Sequence, residues 1–226
     1  MTILPDHNKL QYMLFDWDGT LADNRNIVIC ALEEVLKKYN LPCWEKIKEK
    51  RHKNLSLRDN FSVFFGDKSF DAYEEYVQIY KQISPKMIKP FSGAEYFMRT
   101  AKEEGIELII MTNKDRRLLE IELPLLYDIS LFSRIVCGHE ALRDKPYPEH
   151  IFHALQGLLA PFEINQNNVW MIGDSDQDSD CALAAGALPI RINQSLFSDN
   201  KYVSEHIVYF NNFESLSAKF LEKSYV

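Results

Sequence analysis

No apolar run in this sequence approaches the ~20 residues that a helix needs to cross a bilayer, which sets a membrane partner aside. Basic residues are in deficit. There are 26 Lys and Arg against 33 Asp and Glu, a formal net charge of −7. Binding a phosphate backbone needs a basic stripe, so nucleic acid is not an expected partner either. Cysteine is scarce: Cys30, Cys43, Cys137 and Cys181 are far apart and form no CxxC pair. That excludes a zinc ribbon or a disulfide framework and leaves the thiols as small buried hydrophobes. The first ten residues carry Pro5 and Asp6 and lack the basic-then-apolar layout of a signal peptide, so a cytoplasmic location is expected. Internal repeats and low-complexity stretches are absent as well, and no pattern speaks to oligomeric state.

What the chain does have is an ordinary globular composition, 46% hydrophobic and 26% charged. Its 226 residues suffice for one sizeable core and a smaller satellite domain. Short apolar runs stand out as buried strands: Tyr12 to Phe15, Leu108 to Met111 and Val169 to Ile172. Ile135 to Cys137, Leu188 to Ile192 and Ile207 to Phe210 are shorter candidates. Helical spacing alternates with them. Ala94, Phe97, Met98 and Ala101 share a face and Gly105 follows as a stop signal, while Phe213, Leu216, Phe220 and Leu221 repeat the pattern. Alternating strands and amphipathic helices predict an α/β fold: a Rossmann-like parallel sheet with helices on both faces.

One stretch breaks the alternation. Between Asn24 and Met87 helical spacing continues without a convincing strand. Ile27, Ala31, Val35 and Tyr39 share one face, and Phe70, Tyr73, Val77 and Tyr80 share another. Ser84-Pro85 and Lys89-Pro90 read as the return linker. The predicted organisation is a core formed by residues 1–23 and 88–226, with a helical cap, 24–87, inserted after the first strand.

Polar residues gather where the apolar runs stop, and in parallel α/β sheets ligands bind at the carboxyl ends of strands. Asp16 and Asp18 flank Trp17 at the end of the first strand, and their spacing puts both carboxylates on one side of an extended chain. Such a pair can share a metal or divide into nucleophile and acid/base. Gly19 then permits a sharp turn. Taken alone, Asp-x-Asp-Gly is also what a strand-ending turn with exposed acids looks like. Asp174, Asp176, Asp178 and Asp180 alternate like an EF-hand calcium loop, but the sixth position is Ser179 rather than Gly and the twelfth is Ala185 rather than Glu. Asp174 and Asp178 on a turn beside Asp16 suit Mg²⁺ better, an ion that takes a few carboxylates, several waters and a substrate phosphate oxygen. Thr112 and Asn113 end another strand ahead of a helix and offer a hydroxyl and backbone N–H groups to an anion. Lys145, in Asp144-Lys145-Pro146, supplies the positive charge that an anionic substrate needs within an acidic protein.

In order along the chain, Asp16-Trp17-Asp18-Gly19-Thr20, Thr112-Asn113, Lys145-Pro146 and Gly173-Asp174-Ser175-x-x-Asp178 resemble the four motifs of the haloacid dehalogenase-like hydrolases. Ala182 to Gly186, and Pro90 to Gly93 before a helix, resemble the phosphoglycolate-phosphatase-like branch. The resemblance spans Tyr12 to about Phe213. It implies an Mg²⁺-dependent phosphatase that hydrolyses a small phosphomonoester metabolite through a phosphoaspartate on Asp16. Asp16 would be nucleophile and Mg²⁺ ligand. Asp18 would protonate the leaving alcohol and then activate water, with its backbone carbonyl on the metal. Thr112 and Asn113 would hold the phosphoryl oxygens, and Lys145 would neutralise Asp16 and the phosphate. Asp174 would bind Mg²⁺, and Asp178 would bind it or orient its ligands.

Two positions depart from the family pattern: Trp17 replaces an aliphatic residue, and Asn24 stands where Ser or Thr is common. Asp18 argues against a dehalogenase. The alternatives are a sugar phosphomutase of the same family, whose histidine soon after the first motif is missing from residues 19–30, and an inactive phosphate-binding domain. Substrate choice is expected to lie in the cap, where Arg25, Lys53 and above all Arg58 are the cationic candidates for a second anionic group.

Overall fold

The computed structural model describes residues 4, 7–52, 55–193 and 205–222. Lys53 lies outside them. Strand β1 (Tyr12–Phe15) opens the core and is followed by a two-residue strand β2 (Ala22–Asp23). Four helices come next: α1 (Arg25–Lys38), α2 (Trp44–Ile47), α3 (Leu57–Phe65) and α4 (Ser69–Met87). The chain returns through β3 (Lys89–Pro90) and then alternates: α5 (Ala94–Glu103), β4 (Glu107–Met111), α6 (Arg116–Leu126), β5 (Arg134–Val136), α7 (Glu149–Ala154), β6 (Val169–Gly173), α8 (Asp176–Ala185), β7 (Leu188–Ile192), β8 (Val208–Phe210) and α9 (Phe213–Leu221).

Six strands form one parallel sheet in the order β5-β4-β1-β6-β7-β8, so β1 and β6 lie side by side at its centre. The period of two decides which residues face which layer. Met13 and Phe15 of β1 pack with Phe97, Met98, Phe213 and Phe220 of α5 and α9. Leu14, between them, packs on the opposite face with Ile151, Cys181 and Ala182 of α7 and α8. Both faces are therefore covered, which is why the strands read as unbroken apolar runs.

The helices between β2 and β3 bury a cluster of their own, built from Ile27, Ala31, Val35, Phe61, Tyr73, Val77 and Tyr80, among others. Leu118 of α6 joins it from the sheet side. β2 and β3 pair antiparallel, so the two crossings to these helices are stitched together.

Several expectations need correction. Ser84-Pro85 is not a linker: α4 runs through it to Met87. Pro85 removes one backbone donor in an exposed last turn, and the helix ends instead at extended Ile88, ahead of Lys89-Pro90. Phe70 is 75% exposed, because the buried stripe of α4 runs through Ala72, Tyr73, Tyr76, Val77, Tyr80 and Ser84 and Phe70 stands at its edge. Leu221, the last residue of α9, is also largely exposed. Cys137 and Cys181 are buried as expected, whereas Cys30 and Cys43 are exposed. β5 ends one residue early because the Cys137 N–H turns to the Glu140 carboxylate, at 2.9 Å. Of the alternating aspartates, Asp176, Asp178 and Asp180 lie in α8 and Asp174 just precedes it, and Asp176 pairs with Arg191 at 2.7 Å. Among the described residues, no helix is long and apolar enough to cross a membrane.

Candidate active site

A cavity of about 360 Å³ lies between the carboxyl ends of β1, β4 and β6 and the inner face of helices α1, α3 and α4. Asp16, Asp18, Thr112, Asn113, Lys145 and Asp174 line it from the sheet side, and Arg51, Arg58, Tyr73 and Tyr76 from the helical side. Arg25, exposed on α1, does not.

Asp16 follows the last residue of β1, and its N–H still bonds to the Ile172 carbonyl of β6 at 2.9 Å. Its carboxylate is thereby fixed at the centre of the sheet. One turn later Gly19 adopts φ +82° and comes so close to Asp174 that a Cβ there would sit 2.4 Å from Asp174 Oδ2. Only glycine permits that approach. Gly173 plays the same part for Asp178, whose Cγ would lie 2.3 Å from a Cβ at that position. These glycines let carboxylate oxygens of Asp16, Asp174 and Asp178, all buried, lie within 4.8 Å of one another.

Asp178 is held from three sides. Oδ2 accepts from the Ser175 N–H at 2.9 Å and the Ser175 hydroxyl at 2.6 Å, forming the capping box that starts α8. Oδ1 accepts from Lys145 Nζ at 2.6 Å. The same ammonium lies 2.6 Å from Asp16 Oδ1. Lys145 is aimed by Asn113, whose Oδ1 accepts its N–H at 3.0 Å and whose Nδ2 donates to its carbonyl at 2.9 Å. The Asn113 side chain is spent on this clamp, which leaves its backbone N–H as the group it can offer an anion. The Thr112 hydroxyl accepts the Lys114 N–H at 3.2 Å, which leaves its proton for the cavity.

Burial is the largest influence on Asp16 and pushes its carboxyl up to about 7, with Asp178 and Asp18 adding to the effect and Lys145 opposing it. Burial alone would depress the Lys145 ammonium, but Asp16 and Asp178 reverse this and hold it above the ordinary lysine value. His150, buried behind the loop, accepts the Lys145 N–H on Nδ1 at 3.3 Å. Desolvation, with the nearby charge of Lys145, pushes its imidazole down to about 3, so it is neutral. The cluster of three carboxylates and one ammonium has an excess of negative charge and offers only oxygen donors. That donor set fits a hard divalent cation such as Mg²⁺.

Asp18 is set apart from Asp16. Its side chain is 37% exposed and reaches toward the cavity. Oδ1 accepts from Lys114 Nζ at 2.7 Å and from Asn24 Nδ2. Asn24 borders the cavity, is buried, and also donates to the Tyr80 hydroxyl at 3.0 Å. Lys114 escaped the sequence reading although it directly follows Thr112-Asn113, because a lysine is a surface residue by default. Burial pulls its ammonium down, but Asp18 and Glu122 outweigh that and hold it well above the usual value. Glu122 was missed for the same reason, and with it the partner of Trp17. Trp17 is fully buried, its Nε1 donates to Glu122 at 2.7 Å, and its ring meets Tyr127 edge-on. Its ring does not line the cavity.

The helices over the cavity are tied down at several points. Arg117 forms a two-pronged pair with Glu74 at 2.8 and 3.0 Å, and Gln177 donates to the Leu55 carbonyl at 3.1 Å. Arg58 places its guanidinium 5.3 Å from the Tyr73 ring centre and 4.0 Å from Asp115 Oδ2.

The sequence model of the haloacid dehalogenase-like hydrolases matches residues 13–192. The chain is similar to the phosphoglycolate phosphatase of Neisseria gonorrhoeae, 29% identical over 192 residues that cover 81% of this chain and 80% of that one. It is similar also to the pyrophosphatase PpaX of Bacillus mycoides, at 25% identity over 83% of this chain and 86% of that one. Among solved structures, CbbY of Rhodobacter sphaeroides in complex with xylulose 1,5-bisphosphate superimposes with a TM-score of 0.75. It is 18% identical and the match covers 92% of this chain and 96% of CbbY, a likeness of fold.

Proposed function

Because the chain belongs to the haloacid dehalogenase-like hydrolase family, we propose that it is a cytoplasmic Mg²⁺-dependent phosphatase acting on a small phosphomonoester through a phosphoaspartate on Asp16. The observation that carries this reading is the single ammonium of Lys145 shared between Asp16 and Asp178, with Asp174 completing the carboxylate cluster. It leaves Asp16 buried, oriented and next to a fixed positive charge, as a carboxylate nucleophile requires.

Asp16 Oδ would attack phosphorus while the bond to the leaving oxygen breaks and that oxygen takes a proton from Asp18. Water would then attack the phosphoaspartate, Asp18 would accept its proton, and phosphate would leave with Asp16 restored. Lys145, the Thr112 hydroxyl and the Asn113 N–H would hold the phosphoryl oxygens, with the Asn113 side chain positioning Lys145. Asp16, Asp174 and the backbone carbonyl of Asp18 would hold Mg²⁺, with Asp178 orienting them through Lys145 and Ser175. Bound there, the cation would neutralise charge developing on the transferred group. The helices 24–87 would act as a cap over a core of residues 1–23 and 88–226. Phosphoglycolate, pyrophosphate and xylulose 1,5-bisphosphate, the molecules in the relatives' names, each carry a second anionic group. Arg58, facing the cavity, is proposed to contact such a group.

Acid quenching during turnover of an aryl phosphate should trap one alkali-labile phosphoryl group per chain, absent from the Asp16→Asn variant. Hydrolysis at the normal rate by a well-folded Asp16→Asn protein would overturn the covalent mechanism, and full activity after exhaustive chelation would overturn the metal requirement.

A further inference from the structure

A polar network, most of it buried, joins Asp18 to helix α4. Lys114 Nζ lies 2.7 Å from Asp18 Oδ1, 3.0 Å from the Tyr80 hydroxyl and 3.3 Å from Glu122 Oε2. The first two are hydrogen bonds, and the third is an ion pair. The Tyr80 hydroxyl donates to Glu122 Oε1 at 2.6 Å while accepting from Lys114 and Asn24. Glu122, fully buried, accepts from Tyr80 and from Ser84, at 2.7 Å, on Oε1 and from Trp17 on Oε2, which also pairs with the Lys114 ammonium. Two members, Tyr80 and Ser84, sit on the buried stripe of α4, and Glu122 and Lys114 belong to the sheet side.

Lys114 borders the cavity, yet its ammonium is turned toward Asp18, Tyr80 and Glu122. What it does is fix one carboxylate. Both described donors to Asp18 fall on Oδ1, from Lys114 and Asn24. Oδ2 is thereby the oxygen left to carry and exchange a proton. If α4 were unseated, Tyr80 and Ser84 would leave Glu122, and Lys114 would be drawn toward the carboxylate that had lost its other donors. A buried charge cannot stay uncompensated without a cost of several kcal/mol.

We propose that Lys114 is a positioning residue that holds Asp18 by Oδ1 and, through Tyr80 and Glu122, makes that placement depend on α4 being seated over the cavity. The inference rests on the reading of Asp18 as the proton donor to the leaving group. Its signature is therefore dependence on the leaving group, since an acidic phenol departs without help and a basic one does not.

The test is single-turnover release of 2,4-dinitrophenol, 4-nitrophenol and phenol from their phosphates, with Mg²⁺ present. The reference is Asp18→Asn, expected to lose far more rate on phenyl than on dinitrophenyl phosphate. The variant is Lys114→Met combined with Glu122→Gln, which keeps the buried charge balanced. It should lose at least ~10-fold more on phenyl than on dinitrophenyl phosphate, a factor of about 1.4 kcal/mol in barrier. Tyr80→Phe should show the same grading, weaker. Equal losses on all three substrates, or none, in the double variant while Asp18→Asn is graded would overturn the positioning role. If the double variant fails to fold, an ungraded Tyr80→Phe profile does the same. An ungraded Asp18→Asn would show that the proton-donor reading itself is wrong, and the proposal falls with it.

Discussion

Lys145 Nζ stands 2.6 Å from Asp16 Oδ1 and 2.6 Å from Asp178 Oδ1, so one buried ammonium bridges the proposed nucleophile and the first turn of α8. Removing this bridge strands the charges it compensates. Breaking a buried pair from one side costs about 3–5 kcal/mol. Lys145→Met should therefore lower the melting temperature, with much of the loss recovered by Mg²⁺, and it should reduce kcat by ~10²-fold or more. Thermal melts with and without Mg²⁺ check this; equal Mg²⁺ stabilisation of variant and parent would count against the shared role of ammonium and cation.

Gly19→Ala tests the close approach to Asp174. The added Cβ has no room beside Asp174 Oδ2 and would also sit at φ +82°. Displacing that carboxylate should raise the Mg²⁺ concentration for half-maximal activity by roughly tenfold or more, about 1.4 kcal/mol. An Mg²⁺ titration of activity is the measurement, and an unchanged midpoint would remove Asp174 from the proposed ligand set.

Arg58→Ala separates the selecting helices from the reaction centre. Arg58 borders the cavity but no described contact joins it to Asp16, Asp18 or Lys145. Its loss should raise KM for a phosphomonoester with a second anionic group by about tenfold, and leave hydrolysis of 4-nitrophenyl phosphate nearly unchanged. Steady-state kinetics on both substrates decide it. Equal loss of kcat on both would place Arg58 in the chemistry or in folding.

His150 predicts a pH dependence of stability. Its imidazole is pushed from 6.5 down to about 3 in the folded chain, so between those values the unfolded chain binds the extra proton. The stability that its neutral form provides is complete above about pH 6.5 and drains away as pH falls toward 3. From about pH 7 to about pH 5 the parent should lose roughly 2 kcal/mol relative to His150→Phe, in addition to changes shared by both. Urea unfolding at the two pH values measures the difference, and parallel losses would show that His150 does not carry it.

The core was legible because its signals are local. Tyr12 to Phe15 and Val169 onward are strands of unbroken apolar residues, which a sheet covered on both faces accommodates. Ser175-x-x-Asp178 carries its own helix start. Asp16, Thr112 and Asp174 could be placed at the cavity because each directly follows such a run. Pro85 misled because proline's local preference was outweighed by packing: Tyr80 and Ser84 on one side of it are held by Glu122. Phe70 misled because period alone does not say where the edge of a buried stripe falls.

By itself, then, the sequence determined the alternation of elements, the strand-end positions of the acidic and hydroxyl groups, and the place where helices interrupt the sheet, all of which follow from spacing over a few residues. Only the tertiary structure decided what those groups touch. That Asn113 would hold the Lys145 backbone, that Lys114 would be buried against Asp18, and that Glu122 would collect Trp17, Tyr80, Ser84 and Lys114 depends on residues up to 105 positions apart. A buried charge must find its partners wherever the packed elements bring them, and no local period records that address.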